Sequence, residues 1–156
     1  MSYATVIAEI ETILKSATGV VATTVYKYEK LATNWADYIS AFKDTGNNVI
    51  HGYNITRVRI EEEPEASRVN KAFSTWIIRG FYSYKDNATW TLTSEYKFQI
   101  IIDAIRTKIR NDPKLNASVL TSSPLQVDTI EPRTFGDVLC HYMEGRLITE
   151  EQETFS

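Results

Sequence analysis

Cysteine is almost absent from this sequence, with Cys140 the only one in 156 residues. A lone thiol excludes an internal disulfide framework and fits a reducing compartment. Histidine is nearly as scarce, and His51 and His141 stand far apart. A metal site needs three or four converging donors, and no such set is spaced along the chain. Cys140 and His141 are neighbours, but neighbours on a strand point to opposite faces. That pair therefore neither chelates one ion nor forms a thiolate–imidazole couple. The glycines at Gly46, Gly52 and Gly80 are scattered and match neither the phosphate-loop nor the dinucleotide-binding pattern. Long apolar runs are missing too: the longest is three residues, as at Ile100 to Ile102, where a membrane span needs about 20. The opening Met1-Ser2-Tyr3-Ala4-Thr5 has no basic or apolar leader and does not read as a secretory signal. Nor is there an excess of positive charge. Seventeen basic residues against twenty acidic ones give a net charge of −3. Such a balance offers no bulk attraction to nucleic acid or to anionic membranes.

What is present is ordinary globular composition, 43% hydrophobic and 24% charged. The length suits one domain. We expect a soluble single domain over residues 1–149, followed by an acidic, flexible tail at 150–156.

Val6, Ile7, Ile10, Ile13 and Leu14 recur at helical spacing, so the spacing predicts an N-terminal helix over Tyr3 to Lys15 that stops before Gly19. Val20 to Tyr28, rich in Val, Thr and Tyr, suits a strand. Trp35, Tyr38, Ile39 and Phe42 suggest a short second helix, with Thr33 or Asn34 as its cap. Thr56, Val58 and Ile60 alternate with Arg57, Arg59 and Glu61, the pattern of a half-buried strand. The run Glu61-Glu62-Glu63-Pro64-Glu65 is expected to interrupt that strand at a solvated hairpin tip, because Pro64 cannot donate to a ladder. A long strand follows from about Lys71 to Tyr84, with large apolar side chains on both faces, so both faces are expected to be covered.

Ser94 and Glu95 open the best-marked helix, which runs to Arg110 along the stripe Phe98, Ile101, Ile102, Ile105 and Ile109. Arg106, Lys108 and Arg110 load its last turns, and Asn111-Asp112-Pro113 ends it. A short strand at Leu125 to Ile130, closed by Pro132, and a last strand at Asp137 to Ile148 complete the pattern. The order points to an α+β fold: a mostly antiparallel sheet of four to five strands, with the N-terminal helix and one long helix packed on one face.

No nucleophile, base and oxyanion donor come together, and the glutamate run alone does not supply them. No catalytic residue, metal ligand or cofactor is expected. The aromatic content points elsewhere. Nine Tyr, six Phe and three Trp exceed what a two-layer domain of this size needs. Trp35, Tyr38, Trp76, Tyr82 and Tyr142 are expected to be exposed in a lone chain, as residues that subunit interfaces accumulate. Arg57 and Arg59 run into Glu61, Glu62, Glu63 and Glu65, which sets both charge signs on one feature. Head-to-tail packing of copies would match these charges, and heterologous contacts of that kind close into rings.

Several features together carry a resemblance. They are the N-terminal helix, the Arg-bearing strand with its acidic stretch, and the strand Phe73-Ser74-Thr75-Trp76-Ile77-Ile78-Arg79-Gly80. The single Ile-rich helix and the closing strand Asp137-Val138-Leu139-Cys140-His141-Tyr142 complete the set. From about residue 3 to 149 the chain resembles the tail-terminator (tail-completion) and neck proteins of long-tailed bacteriophages, by element order and texture. The resemblance implies a non-enzymatic virion structural protein, made in the host bacterial cytoplasm. It implies a homo-oligomeric ring, commonly a hexamer, at the head-proximal end of the tail. Such a ring ends tail-tube polymerisation and joins the tail to the head connector. Its partners would be the tail tube protein and the head–tail connector protein. DNA would pass through the lumen without specific binding, which an acidic lumen favours by repulsion, and no membrane would be involved. The alternatives are a head-completion or connector protein, or a small-ligand binding domain of ferredoxin-like type with a pocket at Trp76, Tyr82 and Tyr142.

Overall fold

A computed structural model describes residues 2–28, 40–44, 49–83, 93–135 and 138–155. Helix α1 spans Tyr3–Ser16. The Ser2 hydroxyl caps it by accepting from the Thr5 amide at 3.3 Å. Val6, Ile7, Ile10, Ile13 and Leu14 form its buried stripe, as the spacing predicts. The chain leaves the helix through Gly19, whose φ of +92° lies in the left-handed region. A Cβ built there would sit 2.7 Å from the Ile101 side chain, so this site requires glycine on two counts. The strand expected over Val20 to Tyr28 shrinks to β1 (Val25–Tyr26), because Ala22–Thr24 closes a 3-10 turn ahead of it.

Three long strands dominate the sheet: β3 (Val49–Ala66), β4 (Val69–Ser83) and β7 (Val138–Thr154). They lie side by side and antiparallel in the order β3-β4-β7. Shorter pieces extend the edges. β1 joins β3 in parallel, and β2 (Lys43–Asp44) joins it antiparallel. β5 (Thr121–Ser122) and β6 (Gln126–Phe135) follow each other along the far side of β7. These short segments take the described sheet to seven strands, beyond the four to five expected. The fold is α+β with a mostly antiparallel sheet.

Helix α2 (Thr93–Asn111) lies beside α1 on one face of the sheet. Its Phe98, Ile101, Ile102, Ile105 and Ile109 meet Tyr53, Ile55, Trp76, Ile78, Met143 and Leu147 from the three long strands. Register explains this set. Trp76 pairs with Leu147, Gly80 with both Tyr53 and Met143, and Ile78 with Ile55, so alternate residues of each strand share the helix side. Each such side chain, once buried, contributes roughly 1.5–3 kcal/mol.

Three expectations are corrected at the far end of the sheet. The acidic run does not interrupt β3: Glu61 to Glu65 lie within the strand, and the turn falls at Ser67 and Arg68, where Arg68 has a φ of +63°. Likewise Pro132 does not close β6 but sits inside it, opposite His141. Among the described residues neither proline has a strand on its outer side, so a missing amide there breaks no ladder bond. Finally, residues 150–154 are not a flexible tail. They extend β7, with Glu150 opposite Phe73 and Thr154 opposite Val69. The domain therefore runs past residue 149 through the end of that strand.

Candidate interface: the open face of the sheet

The second face of the sheet is treated differently along its length. At one end, Phe81 and Tyr142 are buried under Phe42, with Tyr26, Ala41 and Ile50 packed around them. Tyr142 donates to the Glu144 carboxylate at 2.7 Å, and the Arg133 guanidinium lies 3.9 Å from its ring centre. Burial, then the bond to Glu144, pushes the Tyr142 phenol up to about 12, so it stays a neutral donor.

Past this cover the face is open. Phe73, Thr75 and Ile77 of β4 stand half-buried beside Ile148 of β7 and Val58 of β3, which are 41% and 52% exposed. Together they floor a shallow hollow rimmed by Arg59, Arg146, Glu61 and Glu63. Arg59 bonds Glu61, Arg146 lies 3.9 Å from Asp128, and Lys71 reaches Glu150 at 3.2 Å and Glu65 at 3.7 Å. These are solvent-exposed pairs of modest worth.

The sheet edges are less receptive than this face. β3 carries Pro64 and bulges at Val58 and Glu65, and β6 carries Pro132 and a bulge at Asp128. Prolines and bulges on edge strands block strand-to-strand addition.

The residues singled out from sequence separate into three groups. Arg59, Glu61 and Glu63 lie on the open face together. Glu65 joins them through Lys71 and accepts from the Gln152 amide at 2.9 Å. Arg57 does not: it follows Tyr53 and Ile55 on the helix side, over the rings of Tyr3 at 4.6 Å and Trp76 at 5.7 Å, and the bulge at Val58 moves only the residues after it. Glu62 also faces the helix side, near Asn70 at 3.4 Å.

Trp76 and Tyr142 are core residues rather than exposed interface residues. Trp76 is fully buried, stacks on Tyr3 and donates its indole N–H to the Thr149 hydroxyl at 2.9 Å. Tyr82 is half-buried and stacks on Phe98 under α2. Trp76 and Tyr82 thus lie on the helix side and Tyr142 on the other, so the three do not line one pocket. The helix expected around Trp35 and Tyr38 falls mostly outside the described residues, as do those two side chains; residues 40–42 are helical.

No protein-family model and no curated protein sequence matches the chain.

Cys140 and both histidines are buried. Cys140 and His141 do point to opposite faces, and burial raises the Cys140 thiol to about 11, well away from a thiolate at neutral pH. Sequence reasoning missed the bond between Ser94 and His141, whose Oγ and Nε2 are 3.0 Å apart. Ser94 is 2% and His141 5% exposed, and the pair ties the start of α2 to β7. His51 and the Tyr53 hydroxyl form a similar buried bond at 2.8 Å. Among the described residues no group of His, Cys, Asp and Glu is placed to hold a metal ion, and no helix is long and apolar enough to cross a membrane.

Proposed function

We propose that this chain is a non-enzymatic structural protein that assembles head-to-tail into a ring, of six copies by the phage resemblance. It would sit at the head-proximal end of a phage tail, end tail-tube polymerisation and join the tail to the head connector. The open sheet face carries this reading. A partly exposed apolar floor with charged rims of both signs is the composition of a surface that finds a partner in the assembled state. The blunted strand edges support the same reading, since they steer association away from open-ended strand addition.

The tail tube protein and the connector protein are the partners this reading assigns to the two sides of the ring. DNA would pass through the lumen without specific contacts. A place on the connector side of the neck is the close variant. The aromatic pocket of a ligand-binding domain has no support, because Trp76 and Tyr142 are buried on opposite sides of the sheet.

The test is whether purified protein, mixed with polymerising tail tube subunits, caps the tubes. Electron micrographs would show a ring on one end of each tube and a narrowed length distribution. Tubes that grow equally long with and without the protein would refute the assignment.

A further inference from the structure

Resting on the ring reading, we infer that the open sheet face of one copy is covered by helix α2 of the next copy. The inference starts from α2 itself. Its inner side is the buried stripe described above, while its outer side carries Tyr96, Ile100, Asp103, Thr107 and Arg110 at alternating spacings of four and three. Tyr96 is 69% and Ile100 49% exposed, an apolar pair on the solvent side of a helix. This stripe matches the open face in three respects.

Apolar character comes first: Tyr96 and Ile100 offer the surface that Ile77, Ile148 and Phe73 lack a cover for. Length is the second. From Tyr96 to Arg110 the helix rises about 21 Å, and β7 from Arg146 to Gln152 advances about 20 Å.

The third is charge. Along the open face, Arg146 and Arg59 stand at the inner end, and Glu61, Glu150 and Glu63 at the outer end beside Lys71. Along α2, Glu95 and Lys97 share the first turn, Asp103 and Arg106 pair with each other at 2.9 Å, and Lys108 and Arg110 load the last turn, with Lys114 just past the helix end. Lys108, Arg110 and Lys114 have no ion-pair partner among the described residues, and neither has Glu63. A helix laid with its first turn near Arg146 and its last turn near Glu61 and Glu63 sets the basic last turn against the carboxylates and keeps it away from Arg146 and Arg59. The reverse orientation sets like against like, which selects one direction.

The outer side of α2 and the open sheet face lie on opposite sides of the chain. One copy therefore donates a helix to one neighbour and receives a helix from the other. Such a contact is heterologous and closes only by forming a ring. Across copies the sheet then lies between two helical layers, which accounts for strands with large apolar side chains on both faces.

The test is a charge exchange. The variants E61K/E63K and R110E/K114E alter only exposed positions, and far-UV circular dichroism with thermal melting checks that each still folds. Sedimentation equilibrium then reads the assembly. Each variant alone should raise the dissociation constant of the oligomer by roughly tenfold or more. An equimolar mixture should recover the wild-type assembly, because every contact in an alternating ring then pairs opposite charges. E61Q/E63Q and R110Q/K114Q, which remove charge without reversing it, should weaken assembly less, and their mixture should recover only in part, because every second contact in an alternating ring then lacks both charges. Wild-type protein that is monomeric throughout would overturn the ring and this contact together. A wild-type oligomer that either reversal leaves intact would overturn this contact alone. So would two weakened variants whose mixture fails to recover.

Discussion

Arg57 and Arg59 are two residues apart on one strand yet point to opposite faces of the sheet. Arg57 pairs across to Trp76 and Arg59 to Thr75, with Val58 as the extra bulge residue between them. An unbroken strand would put both on the same side. Arg57 stays at the core edge with Tyr53 and Ile55, over Tyr3 and Trp76, and the bulge moves Arg59 to the open face beside Glu61.

The two arginines should therefore respond differently to truncation. Arg57→Ala loses a half-buried stacking contact and should cost about 1–2 kcal/mol of folding stability. Arg59→Ala should stay within about 0.5 kcal/mol in the monomer, as surface changes do. Urea denaturation of both variants checks this, and equal costs would contradict the split.

The core anchor is equally testable. Trp76→Ala should destabilise the fold by about 3–5 kcal/mol, the range for emptying an aromatic site. Thr149→Val keeps the volume but strands the buried indole N–H, at a cost of about 1–3 kcal/mol. Thermal unfolding followed by tryptophan fluorescence reads both. A neutral Thr149→Val would show that the indole bond is dispensable.

Stability should also depend on pH through Glu151, which is buried and has an unpartnered Oε1. Burial raises its carboxyl above the ordinary value of 4.5, so the folded chain holds that proton where the unfolded chain has released it. The unfolded state then binds fewer protons, and by linkage this group's contribution to stability falls as pH rises from about 4.5 through the folded value. Glu151→Gln should flatten that decline and unfold at a higher temperature than the wild type at pH 8. Melting curves across pH decide it, and a variant with unchanged pH dependence would contradict the account.

Much of the fold is legible in the residues, for reasons that differ by element. The two long helices are recoverable because one apolar stripe at period 3.6 and a basic last turn act locally, although Ser94, expected as a cap, lies inside α2 and bonds His141 instead. The faces of β7 follow from alternation alone: Tyr142 goes one way, His141 and Met143 the other. The errors share a cause. Pro64, Pro132 and the glutamate run are breakers only inside a sheet, and among the described residues no strand lies on their outer side, which no local pattern announces. The separation of Arg57 from Arg59 comes from a bulge, which shifts the period by one residue without a residue type to mark it. Trp76, Tyr82 and Tyr142 read as surface residues in the sequence because their burial depends on which elements lie above them. That placement is set by α2 and Phe42, distant in sequence. The open face escaped notice for the converse reason: Phe73, Ile77 and Ile148 look like core until the helices are seen on the other side.

The central claim is that copies of this chain close into a ring, and solution mass with particle images tests it most directly. Light scattering coupled to size exclusion should give a species near six times 17.8 kDa, about 107 kDa, and negative-stain images of that peak should show closed rings. A single 17.8 kDa species at every concentration up to the solubility limit, with no ring in the images, would contradict it.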